Sequence, residues 1–219
     1  MTAWFELDRH ASTLALAEGY RLGMLRRDEI DALIESLADW YPDIGVGGAS
    51  RYLRREFFET QACFDDAPER DVFVLVLRRG DELTGMFSCE RDCDTLALYA
   101  GLGVTAPAHR SINLARTGIA FTETMGRRLG MGLAYGMATL KAPHAQRAFE
   151  RAGWQLIGIT PGYDRELVAP GVVKRVFEAV YAKVLVADAG LLEPRPHNLT
   201  PQTKAFFEML FPQRSVQLA

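Results

Sequence analysis

The sequence predicts an α/β protein, with one mixed central sheet carrying helices on both faces. Three observations lead there. Val72-Phe73-Val74-Leu75-Val76-Leu77 is apolar at every position and rich in β-branched residues, which suits a strand buried on both sides. Ile30, Leu33, Ile34, Leu37 and Trp40 recur at the spacing of one helix face. Strand-like and helix-like stretches also interleave along the chain instead of separating into blocks.

Taken in order, residues 1–18 read as a lead-in and Tyr20–Leu25 as a short strand. The helix at Arg27–Trp40 stops at Tyr41-Pro42, because the residue before a proline is pushed out of helical backbone. Gly45-Val46-Gly47-Gly48-Ala49-Ser50 reads as a mobile loop. Ser50 is placed to cap a helix at Arg51–Cys63 that turns Leu53, Phe57 and Phe58 inward. Asp71–Leu77 and Leu83–Cys89 form a hairpin across Arg78-Arg79-Gly80-Asp81-Glu82, and Glu90–Asp94 turns into a third strand, Thr95–Val104. Asn113–Arg128 is helical, Gly132–Leu140 a strand, and Pro143–Arg151 a helix that Gly153 closes with a left-handed cap. Trp154–Thr160 is a strand broken by Pro161-Gly162, and Arg175–Val186 is the last strand. A proline-containing linker, Ala187–Asn198, leads to Thr200-Pro201, a cap and first-turn proline opening a helix at Gln202–Phe211. The expected organisation is a lead-in at 1–18, one domain at 19–186, and a linker with a helix at 187–219. The apolar residues Phe206, Phe207, Leu210 and Phe211 give that helix a docking face, and a homodimer is one expectation for it.

Composition narrows the partners. A formal net charge of −3 offers no global basic field for nucleic acid or an anionic membrane. There is no apolar run of roughly 18 residues, so no membrane span is expected, and the first residues lack the layout of a secretory signal. Cys63, Cys89 and Cys93 lack the second pair or nearby His that zinc spacing needs, so no metal is expected and the thiols suit a reducing cytoplasm.

Pro107–Ala115 is the stretch that points to a ligand. It joins an apolar strand to a helix, so the helix's first N–H groups, unpaired and at the positive end of its dipole, converge on one spot. Arg110 adds a full positive charge. A phosphate-bearing ligand fits such a place. Gly130-Met131-Gly132 follows a helix rather than a strand and misses dinucleotide-binding spacing, and no Gly-Lys-Ser/Thr of a nucleotide-triphosphate loop occurs.

Here the chain resembles the GNAT superfamily, the acyl-CoA-dependent N-acetyltransferases. The superfamily's coenzyme loop reads Pro-x-x-Arg/Gln-x-x-Gly-x-Gly/Ala, and Pro107, Arg110, Asn113 and Ala115 fall on its positions. Asn113 stands where Gly is usual, and Asn is among the few other residues that tolerate unusual backbone angles. A second motif, Asn-x-x-Ala-x-x-x-Tyr-x-x-x-Gly-Phe, is matched from Ala142 by Ala145, Gly153 and Trp154, with Ala142 and Phe149 replacing its Asn and Tyr. The resemblance covers roughly Tyr20 to Val186. It implies a central, mostly antiparallel sheet of six to seven strands, with the third strand of the meander and the strand after the loop's helix splaying apart.

The resemblance also implies acetyl-CoA as co-substrate. Gly103, Val104 and Thr105 would pair with the pantetheine amides like a short extra strand. Backbone groups of Arg110, Ser111, Ile112, Asn113, Leu114 and Ala115 would hold the pyrophosphate, and Ala145 and Phe149 would wall the thiol end. The expected reaction is direct attack of a small-molecule amine on the acetyl thioester. In many relatives the tyrosine of the second motif is thought to protonate the departing thiolate, and Phe149 has no hydroxyl with which to do so. Three readings stay open: the thiolate leaves unaided or with water, another tyrosine substitutes, or the protein binds acyl-CoA as a non-catalytic sensor. Tyr99 is the preferred substitute, expected to share a strand face with Gly101, Gly103 and Thr105. Glu90 and His144 are candidate bases, and Tyr163 and Asp164 candidates for the acceptor side. Arg51, Arg54 and Arg55 hint at a carboxylate-bearing amine.

Overall fold

The structure, a computed structural model, describes residues 16–112 and 114–214, with the backbone alone at Ser111, Ile112 and Leu114. The chain divides into two compact units, Met1–Leu185 and Val186–Ala219. The first contains a seven-stranded sheet in the order β1-β2-β3-β4-β5-β7-β6. Its strands are β1 (Tyr20–Met24), β2 (Val72–Arg79), β3 (Glu82–Asp92), β4 (Ala97–Thr105), β5 (Leu133–Thr139), β6 (Gln155–Ala169) and β7 (Val172–Val184). Every neighbouring pair is antiparallel except β4 and β5, which run parallel and are joined by a crossover helix.

Helices cover both faces, as the alternation in β2 requires. Phe73, Leu75 and Leu77 enter one core with α3 (Leu114–Leu129) and α4 (His144–Arg151), while Val72, Val74 and Val76 enter another with α1 (Ile30–Trp40) and α2 (Arg55–Gln61). The spacing read in α1 is the face it buries: Ile30, Leu33, Leu37 and Trp40. Its entry is pinned by Glu29, which accepts from the Arg26 N–H at 2.9 Å and pairs with Arg78 of β2. Gly153, at φ 72°, closes α4 as expected.

Two stretches depart from their local patterns. Arg51–Cys63 is not one helix. A 3-10 segment spans Gly48–Leu53, Arg54 is extended, and α2 follows. Ser50 does not cap; its hydroxyl donates to the Gly47 carbonyl at 2.7 Å. The cause lies in the sheet. Arg51 pairs with Glu90 while the adjacent Tyr52 bonds Ser88, and consecutive residues of an α-helix, about 100° apart, do not face one surface together. Pro161-Gly162 likewise does not end its strand. β6 continues to Ala169 because the ladder with β7 skips from Thr160 to Asp164, so the proline without an N–H falls inside a bulge. Gly162 takes φ 65°, and its carbonyl accepts from Arg175 at 2.8 Å. The hairpin turn is Pro170-Gly171, and β7 therefore begins at Val172, before the expected Arg175.

The second unit opens two 3-10 turns before α5 (Pro201–Leu210). Thr200 caps α5 by accepting from the Thr203 N–H at 3.2 Å. Arg214 ties the unit together through Asp188 and Glu193. Most of the 1–18 lead-in lies outside the described residues.

Candidate functional site

The sheet opens between β4 and β5. Their pairing runs from Ala97↔Leu133 to Ala100↔Gly136 and stops there, although β4 continues to Thr105 and β5 to Thr139. On the β5 side the backbone of 101–105 therefore has no strand partner among the described residues. The opening starts at a bulge. Against β3, β4 pairs Ala100 with Cys89 and Gly103 with Phe87, so Gly101 and Leu102 together face Ser88. Ser88 holds the bulge by accepting from the Leu102 N–H at 2.9 Å, and its hydroxyl is 2.6 Å from that of Tyr52. Only glycine fits at 101, since a Cβ there would lie 2.5 Å from Ser88 Oγ. On β5, the ring of Phe149 presses on Gly136, where a Cβ would lie 2.5 Å from Cζ.

The bulge changes which way side chains point. Leu98 and Ala100 enter the α3/α4 core, whereas Leu102 and Val104 pack in the α1/α2 core. Tyr99 therefore lies on the α1/α2 face, and Gly103 and Thr105 turn to the opposite one. Of the three residues expected to share the face of Tyr99, Gly101 does, its Cβ direction pointing at Ser88 and Tyr52, whereas Gly103 and Thr105 do not, because unbroken alternation was assumed through a bulge.

At the end of β4 the chain makes a 3-10 segment, Pro107–Ile112, before α3. His109 anchors it, buried, with Nδ1 2.6 Å from the Tyr20 hydroxyl. Arg110 is exposed and donates to the Trp40 carbonyl at 3.4 Å. In a 3-10 turn each N–H bonds back three residues, so those of Arg110, Ser111 and Ile112 are engaged within the turn. The first turn of an α-helix has no intrahelical partner for its N–H groups, and in α3 that turn begins at Leu114 and Ala115. Asn113 lies outside the described residues. α3 approaches the sheet closely at Gly118, where a Cβ would meet Phe87 at 2.4 Å, and this brings its N-terminus beside the gap.

On the α3/α4 face the gap is walled by Phe149, which stacks on Tyr181 at 5.1 Å and leans on Trp154 at 5.2 Å. Ala145 is exposed in the first turn of α4. The Tyr181 hydroxyl donates to Glu150 at 3.0 Å, and burial and that carboxylate push its pKa up to about 12. The gap thus places an open stretch of β4 edge beside a helix N-terminus, which could take a linear amide chain ending in an anion.

The α1/α2 face is polar. Tyr99 and Tyr135 lie with ring centroids 5.1 Å apart. Burial raises the Tyr99 pKa, and Tyr163, Glu178 and Tyr52 add to the rise against Arg51, so its hydroxyl stays protonated and able to donate a hydrogen bond. Glu90 is not a free base, since Arg51 grips both its oxygens. Arg55 is engaged by Asp31 and Glu59 at the surface, so Arg51, Arg54 and Arg55 do not form a common anion-binding rim. The Gly45–Ser50 loop is clamped: both Asp164 oxygens accept from the Gly48 N–H, at 3.0 and 3.1 Å. His144 is exposed at the start of α4.

Sequence reasoning missed Glu178 of β7. It is 9% exposed, and burial, then the charges of Asp164 and Glu166, push its pKa up to about 7. Its signal was a charged residue between Phe177 and Ala179 in an otherwise strand-favouring run, at an alternation position pointing inward. Tyr41 belongs to the same group, raised to about 12 by burial and by Glu166, Asp43, Asp164 and Glu178.

This constellation, a seven-stranded sheet split between two parallel strands beside a helix N-terminus, is the fold of the GNAT acetyltransferases. No family model and no curated protein sequence matches the chain, but solved structures do. The RimL ribosomal L7/L12 alpha-N-protein acetyltransferase aligns over 80% of this chain and 98% of its own, at 12% identity and a TM-score of 0.56. The putative acetyltransferase yncA of Salmonella typhimurium, solved with acetyl-CoA, aligns over 79% and 98%, at 16% identity and 0.57. Spermidine N-acetyltransferase of Vibrio cholerae, solved with CoA and spermine, aligns over 77% and 96%, at 12% identity and 0.58. At such identities the likeness establishes the fold.

Proposed function

We propose that the protein is an N-acetyltransferase that moves an acetyl group from acetyl-CoA to a small amine by direct attack. The observation that carries this reading is the parting of β4 and β5 after Ala100↔Gly136, which leaves the 101–105 edge open beside the N-terminus of α3. That edge would hold the amides of the pantetheine arm as a short added strand. The N–H groups of Leu114 and Ala115, with Arg110, would hold the pyrophosphate, in support of the reading that 110–115 is its cradle. Bound acetyl-CoA supplies an acetyl thioester whose carbonyl carbon accepts an amine. The chain's task is then to orient the amine within about 3 Å of that carbon, remove a proton and donate to developing negative charge. Tyr99, kept protonated by burial, is the donor on the acceptor face.

A non-catalytic acyl-CoA-binding protein is the second reading, and Phe149 favours it. Its ring is buried in an aromatic stack with no hydroxyl to offer a leaving thiolate. Thiol release from acetyl-CoA across a broad panel of amines separates the two. Release with one or more amines, with an acetylated product by mass, supports the transferase; acetyl-CoA binding without release from any amine leaves the binding protein.

A further inference from the structure

Glu178 is where the structure carries an unexplained energetic burden. It pairs in register with Thr139 of β5 and Thr160 of β6, at the level where β5 has already parted from β4. Ala179 and Tyr181 enter the α3/α4 core, so Glu178 points to the α1/α2 face, the side of Tyr99. More than nine-tenths of it is buried, and among the described residues its side chain makes no hydrogen bond or ion pair. A buried carboxylate is normally paired, because leaving water without a partner is expensive.

Its surroundings make the expense larger. From β6 it faces Asp164 and Glu166; the segment after α1 brings Tyr41 and Asp43, and β4 brings Tyr99. Lys141, after β5, is engaged by Glu166 at 2.6 Å and lies 3.7 Å from Asp43. Arg51, near Tyr99, is neutralised by Glu90. Asp164 is satisfied by the Gly48 N–H, which leaves Glu178, among the described residues, as the carboxylate of the group whose side chain has no partner.

We propose that Glu178 receives the proton of a cationic acceptor amine bound on this face between β6, β7 and the segment after α1. The inference rests on the transferase reading and names the acceptor's charge class and the base. In the step, an N–H bond of the ammonium breaks, its electron pair stays on nitrogen, and an O–H bond forms at Glu178. A cation and an anion become a neutral amine and a neutral carboxyl. Desolvation favours both neutral forms, lowering the amine's pKa as it raises the carboxyl's. The fold thus prepares the proton acceptor by burying it.

The test is Glu178→Gln in the full chain, with an amine panel led by 1,4-diaminobutane as a dication and including glycine as a carboxylate-bearing amine. The wild type is expected to acetylate the diamine in preference to glycine, with a rate that rises as pH passes about 7. Glu178→Gln should lose that limb of the profile and roughly 10²–10⁴-fold in kcat. Diamine binding by calorimetry without acetyl-CoA should strengthen from pH 6 to pH 8 in the wild type and stay level in the variant. Unchanged acetyl-CoA affinity shows that the variant is folded, and Glu178→Asp should restore part of the pH limb. A variant that matches the wild type in kcat and pH profile overturns the role of Glu178 and leaves the transferase reading standing. A wild type that transfers to no amine overturns both.

Discussion

The two faces of the sheet at the β4/β5 gap are built from the same strands and could hardly differ more. On the α3/α4 face, Phe149 presses on Gly136, stacked on Tyr181 and tilted against Trp154, and the neighbouring core residues are apolar. On the α1/α2 face, Tyr41 lies in the field of Glu178, Glu166 and Asp164, and Tyr99, beside Tyr135, in that of Glu178. The first arrangement stabilises by burying apolar area, at about 25 cal/mol per Å². The second spends stability on charge taken out of water. The proposed deprotonation of an amine would draw on the second arrangement, while the first anchors β5 to α4 through Phe149.

Substitutions can break the comparison, and the largest effect belongs to the apolar face. Phe121→Ala, fully buried and stacked on Phe73, should cost about 3–5 kcal/mol by urea denaturation. Gly136→Ala drives a methyl into the Phe149 ring and should cost about 1–3 kcal/mol; combining it with Phe149→Leu should recover part of that in the same measurement. At the phosphate end, Arg110→Ala should weaken acetyl-CoA binding about tenfold by calorimetry. Because the side chain is exposed, stability should stay within about 0.5 kcal/mol. Unchanged affinity would remove Arg110 from the coenzyme site.

The polar face should give an effect of the opposite sign. The Glu178 pKa is raised from 4.5 to about 7, so the folded state holds a proton more tightly than the unfolded one. Stability is therefore fully present below about pH 4.5 and is lost as pH rises through 7. Glu178→Gln removes that loss. Its melting temperature should exceed the wild type's at pH 8, by roughly 2–4 °C for each kcal/mol relieved, with the gap closing towards pH 4.5. A wild type whose melting temperature does not depend on pH relative to the variant would mean that Glu178 is solvated.

Much of this architecture was legible residue by residue. The apolar run of β2, the single buried face of α1 and the Gly153 cap each follow from a few neighbouring positions. The stretch at Pro107–Ala115 was legible as a turn opening a helix, since strand end, proline and helix start are local signals. Phe149 was visible as a tyrosine replaced. The failures share one cause. Ser50 looked like a cap until Arg51 and Tyr52 were drawn to Glu90 and Ser88. Pro161-Gly162 looked like a stop until β7 supplied a partner that a bulge could follow.

What the sequence determined by itself was the set of elements, their order and the apolar side of each, because periodicity and turn chemistry act over a few residues. Tertiary structure decided which face each functional side chain presents. The β4 bulge, held by Ser88 and Tyr52 from distant segments, separated Tyr99 from Gly103, and the packing of three chain segments around β7 stripped Glu178 of water. Burial and charge proximity are properties of an assembled surface, so the buried carboxylate of Glu178 became visible only there.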